Sequence, residues 1–213
     1  PDYGEAMWNM GIAYNKLAQT EKAIASYKRV IEIQPDYLDS YINLGTEYLN
    51  KGLVDSAIVT YKRALAVDST FAKAYYNIAL ALMKQKKFSD AIVEHQKALA
   101  LEPSNADVWY NLGVAYENQS QLVDAIASYT KAIGLRQDYL DAYINLGNAL
   151  AAQGHLDKAI ETLSKAISVN PESADAYYNL GNLFFYNHEV DKAFAAFLLA
   201  IKKDSTYANA YYN

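Results

Sequence analysis

Hydrophobic side chains recur along this chain at helical spacing, and the helices they imply recur at a longer interval. Within residues 106–139, Trp109, Leu112, Gly113 and Tyr116 follow the i, i+3, i+4, i+7 rule of one α-helical face. Leu122, Ala125, Ile126, Tyr129, Ala132 and Ile133 repeat that arithmetic on a second helix. Short polar or glycine-containing segments, such as Asn50-Lys51-Gly52 and Gln153-Gly154-His155, separate such pairs. The pattern predicts helical hairpins. It returns every 34 residues, at Asn9-Met10-Gly11, Asn43-Leu44-Gly45, Asn77-Ile78-Ala79, Asn111-Leu112-Gly113, Asn145-Leu146-Gly147 and Asn179-Leu180-Gly181. Ala23, Ala57, Ala91, Ala125, Ala159 and Ala193 keep the same step and phase.

With the last residue of each tripeptide set as position 8, six repeats occupy 4–37, 38–71, 72–105, 106–139, 140–173 and 174–207. Residues 208–213 open a seventh repeat and 1–3 close an earlier one. We therefore expect one array over 1–213 that is a piece of a longer array or of a larger protein. Small residues at positions 8 and 20 are expected to let the paired helices approach closely. Pro35, Pro103 and Pro171 at position 32 end the second helix. Where Ser69, Gln137 and Ser205 replace them, a longer helix or a looser turn is expected. Position 33 carries Asp2, Asp36, Thr70, Ser104, Asp138, Glu172 and Thr206, mostly N-cap types. Glu5, Asp39, Asp107, Asp141 and Asp175 follow three residues later and complete an approximate capping box. One hairpin cannot bury its apolar faces alone, so neighbours must stack, and the predicted fold is an all-α solenoid.

Composition removes several functions. With 52% hydrophobic and 20% charged residues the chain is not disordered. A net charge of −5 and a pI near 5.2 disfavour nucleic acid and anionic membranes as partners. Cysteine is absent, which removes thiolate chemistry. No apolar run reaches the ~18–20 residues of a membrane span, and a cytoplasmic location is the default expectation. His95, His155 and His188 are far apart, and no zinc-protease, phosphate-loop or dinucleotide motif occurs. No catalytic, cofactor-binding or metal-binding residue is assigned.

The repeat resembles the tetratricopeptide repeat, with a large residue at position 4, Leu-Gly at 7–8, aromatics at 11 and 24, Ala at 20 and 27, and Pro at 32. The first repeat shows it as Met7, Met10-Gly11, Tyr14, Ala23, Tyr27, Val30 and Pro35. Ala79 departs from Gly, and His95 and Leu163 depart from the aromatic at position 24. The resemblance implies a right-handed superhelix whose concave side, lined by the first helix of each hairpin, binds peptides or proteins.

Positions 2, 6, 9 and 13 share a stripe of that first helix. Position 6 is Asn9, Asn43, Asn77, Asn111, Asn145, Asn179 and Asn213, without exception. Asparagine costs about 0.5 kcal/mol against alanine inside a helix, so its repeated use implies a compensating role. Its amide donates and accepts together and suits the backbone of an extended peptide. Bonding to an adjacent repeat's backbone, or simple persistence from ancestral duplication, also fits. Position-6 Asn with position-2 Asp (Asp39, Asp107, Asp141 and Asp175) is similar to the repeats of O-GlcNAc transferases. That resemblance implies a lumen of Asn and Asp ladders favouring basic or Ser/Thr-containing ligands. Trp8, Tyr76, Tyr110, Tyr178 and Tyr212 at position 5 are expected to border the groove. The basic clamp of chaperone-binding relatives is missing, since only Lys73 fits it. The leading expectation is a non-catalytic scaffold for a protein or extended peptide. Two alternatives stand: a substrate- or adaptor-recognition arm of a larger enzyme such as an O-GlcNAc-type glycosyltransferase, or a module that self-associates end to end through apolar residues near Phe194, Phe197 and Ile201.

Overall fold

The computed structural model describes residues 3–204, which form twelve α-helices and no strand. They are α1 (Tyr3–Lys16), α2 (Thr20–Ile33), α3 (Leu38–Asn50), α4 (Val54–Val67), α5 (Ala72–Lys84) and α6 (Phe88–Leu101), followed by α7 (Ala106–Asn118), α8 (Leu122–Leu135), α9 (Leu140–Ala152), α10 (Leu156–Val169), α11 (Ala174–Tyr186) and α12 (Val190–Lys203). Each repeat is one helix pair. The chain divides into two compact units, Pro1–Pro103 with α1–α6 and Ser104–Asn213 with α7–α12. In the first unit the pairs α1–α2, α3–α4 and α5–α6 stack through α2–α3 and α4–α5, and α3 also meets α5. The second unit repeats this with α8–α9, α10–α11 and α9–α11.

Four of the six hairpins are held by a ring laid on a missing side chain. A Cβ added at Gly113 would stand 2.6 Å from Tyr129 Cε1, and one at Gly181 would stand 2.6 Å from Phe197 Cε1. Gly11 and Gly45 meet Tyr27 and Tyr61 in the same way, and Gly147 meets Leu163. Close approach at position 8 thus makes room for the side chain at position 24, one turn after the small residue at position 20. The third repeat departs at both partners together, with Ala79 opposite a fully buried His95. Phe197 is therefore core rather than an open end, whereas Phe194 is 65% exposed.

The turn inside each hairpin has a left-handed residue at position 15: Ala18, Gly52, Lys86, Ser120, Gly154 and His188. The next residue's N–H reaches back to position 11, as in Gln19 to Tyr14 (2.8 Å) and Gln121 to Tyr116 (2.9 Å), closing the helix with a Schellman-type bond. Only two of these six residues are glycine, so the sequence pattern did not mark the cap.

Two expectations about the inter-repeat turn are corrected. The helix N-cap falls at position 34, not 33; it is Tyr37, Phe71, Asn105, Tyr139 and Ser173, and only Asn105 and Ser173 cap with their side chains. The acids at position 2 therefore do not belong to capping boxes. Helices lacking the position-32 proline are no longer than the others: α4 and α8 end at Val67 and Leu135, equivalent to Ile33 and Leu101. Position 31 leaves helical geometry in every repeat. Asp68, for example, is extended and accepts from Thr70 N–H (2.8 Å), while Ser69 O accepts from the Tyr75 hydroxyl (3.2 Å). Ser205 lies outside the described residues.

Candidate functional site

The asparagines of position 6 lie along the first helices. Asn9 is exposed and Asn43, Asn77, Asn111, Asn145 and Asn179 are half-buried, while Asn213 lies outside the described residues. Three of them donate through Nδ2 to the carbonyl one turn earlier on their own helix: Asn77 to Lys73 (2.7 Å), Asn111 to Asp107 (2.8 Å) and Asn179 to Asp175 (2.8 Å). That bond fixes the amide's direction and uses one of its two N–H groups. Asn145 instead donates to the Tyr110 hydroxyl of the preceding repeat (3.2 Å), and Asn43 bonds the Tyr27 hydroxyl. These bonds run to the residue's own helix or to a tyrosine hydroxyl.

The acids of position 2 are partly committed within the array. Asp39 pairs with Lys73 at 2.8 Å. Asp107 pairs with Arg136 at 2.8 Å and accepts from the Tyr139 hydroxyl at 2.9 Å. Burial pushes the Asp107 carboxyl up, but those two hydrogen bonds outweigh it and hold the group below the usual carboxylate range. Asp141 and Asp175 are exposed.

The position-5 aromatics Tyr76, Tyr110 and Tyr178 are half-buried and lean on the position-24 side chain of their own repeat, His95, Tyr129 and Phe197, at 5.8, 5.9 and 5.8 Å between rings. Tyr110 also meets Tyr139 at 4.9 Å, and Trp8 meets Tyr37 at 5.7 Å. Much of each ring thus serves packing. Burial raises the Tyr110 hydroxyl pKa, so this group stays protonated and hydrogen-bonding at neutral pH.

Two cavities open between successive first helices, one in each unit, lined by the same repeat positions. One, about 280 Å³, uses positions 9, 12 and 13 of the first repeat (Ile12, Asn15, Lys16) and 6, 9 and 10 of the second (Asn43, Thr46, Glu47). The other, about 470 Å³, uses the same positions of the fifth repeat (Asn148, Ala151, Ala152) and the sixth (Asn179, Asn182, Leu183). A position-6 asparagine lines each. Sequence reasoning missed Glu47, although position 10 carried a signal: it is Ala13, Glu47, Ala81, Ala115, Ala149 and Leu183. Glu47 is 3% exposed, and Asn15 Nδ2 donates to its carboxylate. Among the described residues no group of three or more His, Cys, Asp or Glu is placed to hold a metal ion.

Stacked helix-turn-helix repeats of 34 residues, with cavities along the first helices, define an all-α solenoid built as a protein-interaction scaffold. Sequence profiles described as TPR repeat match residues 11–52, 45–86, 79–120 and 147–187, and one described as tetratricopeptide repeat matches 106–139. The chain belongs to the tetratricopeptide repeat family. Solved structures agree. YrrB, described as a TPR protein with an unusual peptide-binding site, is 26% identical with a TM-score of 0.73, over 87% of this chain and 96% of that one. MamA is 30% identical with a TM-score of 0.70, over 76% and 95%. PilF of Pseudomonas aeruginosa shares the fold at 19% identity and a TM-score of 0.82, over 98% and 95%. The sequence matches no curated protein. No helix among the described residues is long and apolar enough to cross a membrane.

Proposed function

We propose that the chain is a non-catalytic scaffold that holds an extended peptide against its first helices, with the position-6 asparagines pairing to the peptide backbone. The observation that carries this reading is the coincidence of ladder and cavity: Asn43 and Asn179 each line a cavity at the same register. The fold back to the position-2 carbonyl pre-orients Asn77, Asn111 and Asn179, which lowers the entropy lost when a ligand binds. Tetratricopeptide proteins bind proteins or peptides, and YrrB is described as having a peptide-binding site.

The test is binding of a diverse peptide array by this chain and by an Asn77→Ala, Asn111→Ala, Asn145→Ala variant of matched helicity. At roughly 1 kcal/mol per hydrogen bond, the variant should bind about a hundredfold more weakly, and alike for peptides of different sequence. Equal binding by both proteins would make the ladder structural and refute the reading.

A further inference from the structure

The cavity at Glu47 breaks a rule that the third to sixth repeats obey. Position 10 faces the core there: Ala81, Ala115 and Ala149 are at most 1% exposed and Leu183 is 4% exposed, whereas Ala13 of the first repeat is exposed. In the second repeat that place holds a carboxylate, itself 3% exposed. A buried charge is costly unless it is paired. The Asn15 amide offers only a neutral hydrogen bond, and among the described residues no ion pair includes Glu47. Lys16 lines the same cavity but is solvent-exposed. Local rules broken without an internal compensation mark functional places.

The surroundings select a cation. Trp8 and Tyr27 line the cavity with aromatic surface, which attracts ammonium and guanidinium groups as well as covering an aliphatic stem. At about 280 Å³ the space is below the ~300–1,000 Å³ of drug-sized sites, and so fits a single side chain. The equivalent cavity of the second unit replaces Asn15 and Glu47 with Ala151 and Leu183, and so has no comparable charge.

We infer that the Glu47 cavity receives the charged end of a lysine or arginine side chain, its carboxylate forming the ion pair that the fold withholds. The inference rests on the peptide-binding reading, whose asparagine ladder would carry the backbone of the same ligand.

The experiment uses the whole chain labelled with ¹⁵N. n-Butylammonium and n-butylguanidinium are titrated in, with 1-butanol as the neutral control. The reporter is the indole N–H resonance of Trp8, a buried donor with no acceptor among the described residues, assigned against Trp109 by a Trp8→Phe variant. A saturable shift with either cation and none with butanol is the expected result. Glu47→Gln keeps an acceptor for Asn15 and should weaken cation binding at least tenfold. No saturable shift, an equal shift with butanol, or unchanged binding by Glu47→Gln overturns the inference. As a second measurement, replacing lysine by norleucine in an array-selected peptide should weaken binding to the natural chain at least tenfold but leave binding to Glu47→Gln unchanged; equal losses in both proteins overturn the inference. The ladder variant keeps the two readings apart, because it should lose peptides yet retain the butylammonium shift. If the cations bind while peptides never do, the groove reading falls and the cavity stands.

Discussion

His95 should make the third hairpin acid-sensitive, and the size of the effect follows from its burial. The side chain is 0% exposed, and neither ring nitrogen has a hydrogen-bond partner. Desolvation lowers its pKa from 6.5 to about 4. The unfolded chain therefore takes up a proton near pH 6.5, whereas the folded chain resists protonation until about pH 4. The stability His95 permits is fully present above pH 6.5 and drains away as the pH falls to about 4. The gap of about 2.5 at about 1.4 kcal/mol for each pH unit comes to ~3.5 kcal/mol. The remedy is written in the other repeats: Ala79→Gly with His95→Phe recreates the pairing of Gly181 with Phe197. Because each hairpin of an array has its own stability, the assay is native-state hydrogen exchange of the α5 and α6 amides between pH 7 and pH 4, corrected for intrinsic rates. The natural chain should lose ~3 kcal/mol more protection than the double variant over that range. His95→Phe alone should destabilise by about 1–3 kcal/mol through overpacking against the Ala79 methyl. Parallel loss of protection in both proteins would refute the argument.

The remaining expectations concern backbone geometry. Lys86→Gly and Ser120→Gly, at φ of +58° in both cases, should each stabilise the chain by about 1 kcal/mol by relieving left-handed strain; an unchanged or lower denaturation midpoint would count against it. Gly113→Ala places a methyl 2.6 Å from Tyr129 Cε1 and should cost about 1–3 kcal/mol. Gly134→Ala, with nothing within 4 Å inside α8, should instead stabilise by up to about 1 kcal/mol. A thermal-denaturation comparison in which the two glycines behave alike would show that the ring contact carries no weight.

The sequence made some of this legible because packing between helices leaves a periodic trace. Ala23, Gly11 and Tyr27 recur in phase with their equivalents, so the hairpins and their stacking followed from spacing. The caps did not. Position 15 adopts the left-handed conformation at Ala18, Lys86, Ser120 and His188 with no glycine to announce it, because the Schellman-type hydrogen bonds are made by backbone atoms and any side chain can occupy the place at a cost. Tyr37, Phe71 and Tyr139 sit at helix N-caps without capping; Tyr37 and Tyr139 lay their rings instead on Trp8 and Tyr110 at position 5 of their own repeats. A missing proline left α4 and α8 unlengthened because α4 and α8 pack against α5 and α9 of the next hairpin, and that packing sets the turn.

The candidate site was legible only where every repeat agrees. The asparagines stood out by never varying, but Glu47 stands out by varying once, and a search for shared residues passes over it. The array supplies its own reference at each position, and that reference separates two kinds of exception. Ala79 and His95 depart together and remain complementary in volume, so a packing requirement explains both. Glu47 departs at a place where five other repeats put alanine or leucine, and the change brings a charge without an ion-pair partner among the described residues. Volume does not explain it. A compensated exception belongs to the fold, and an uncompensated one points outward, to a ligand that completes it.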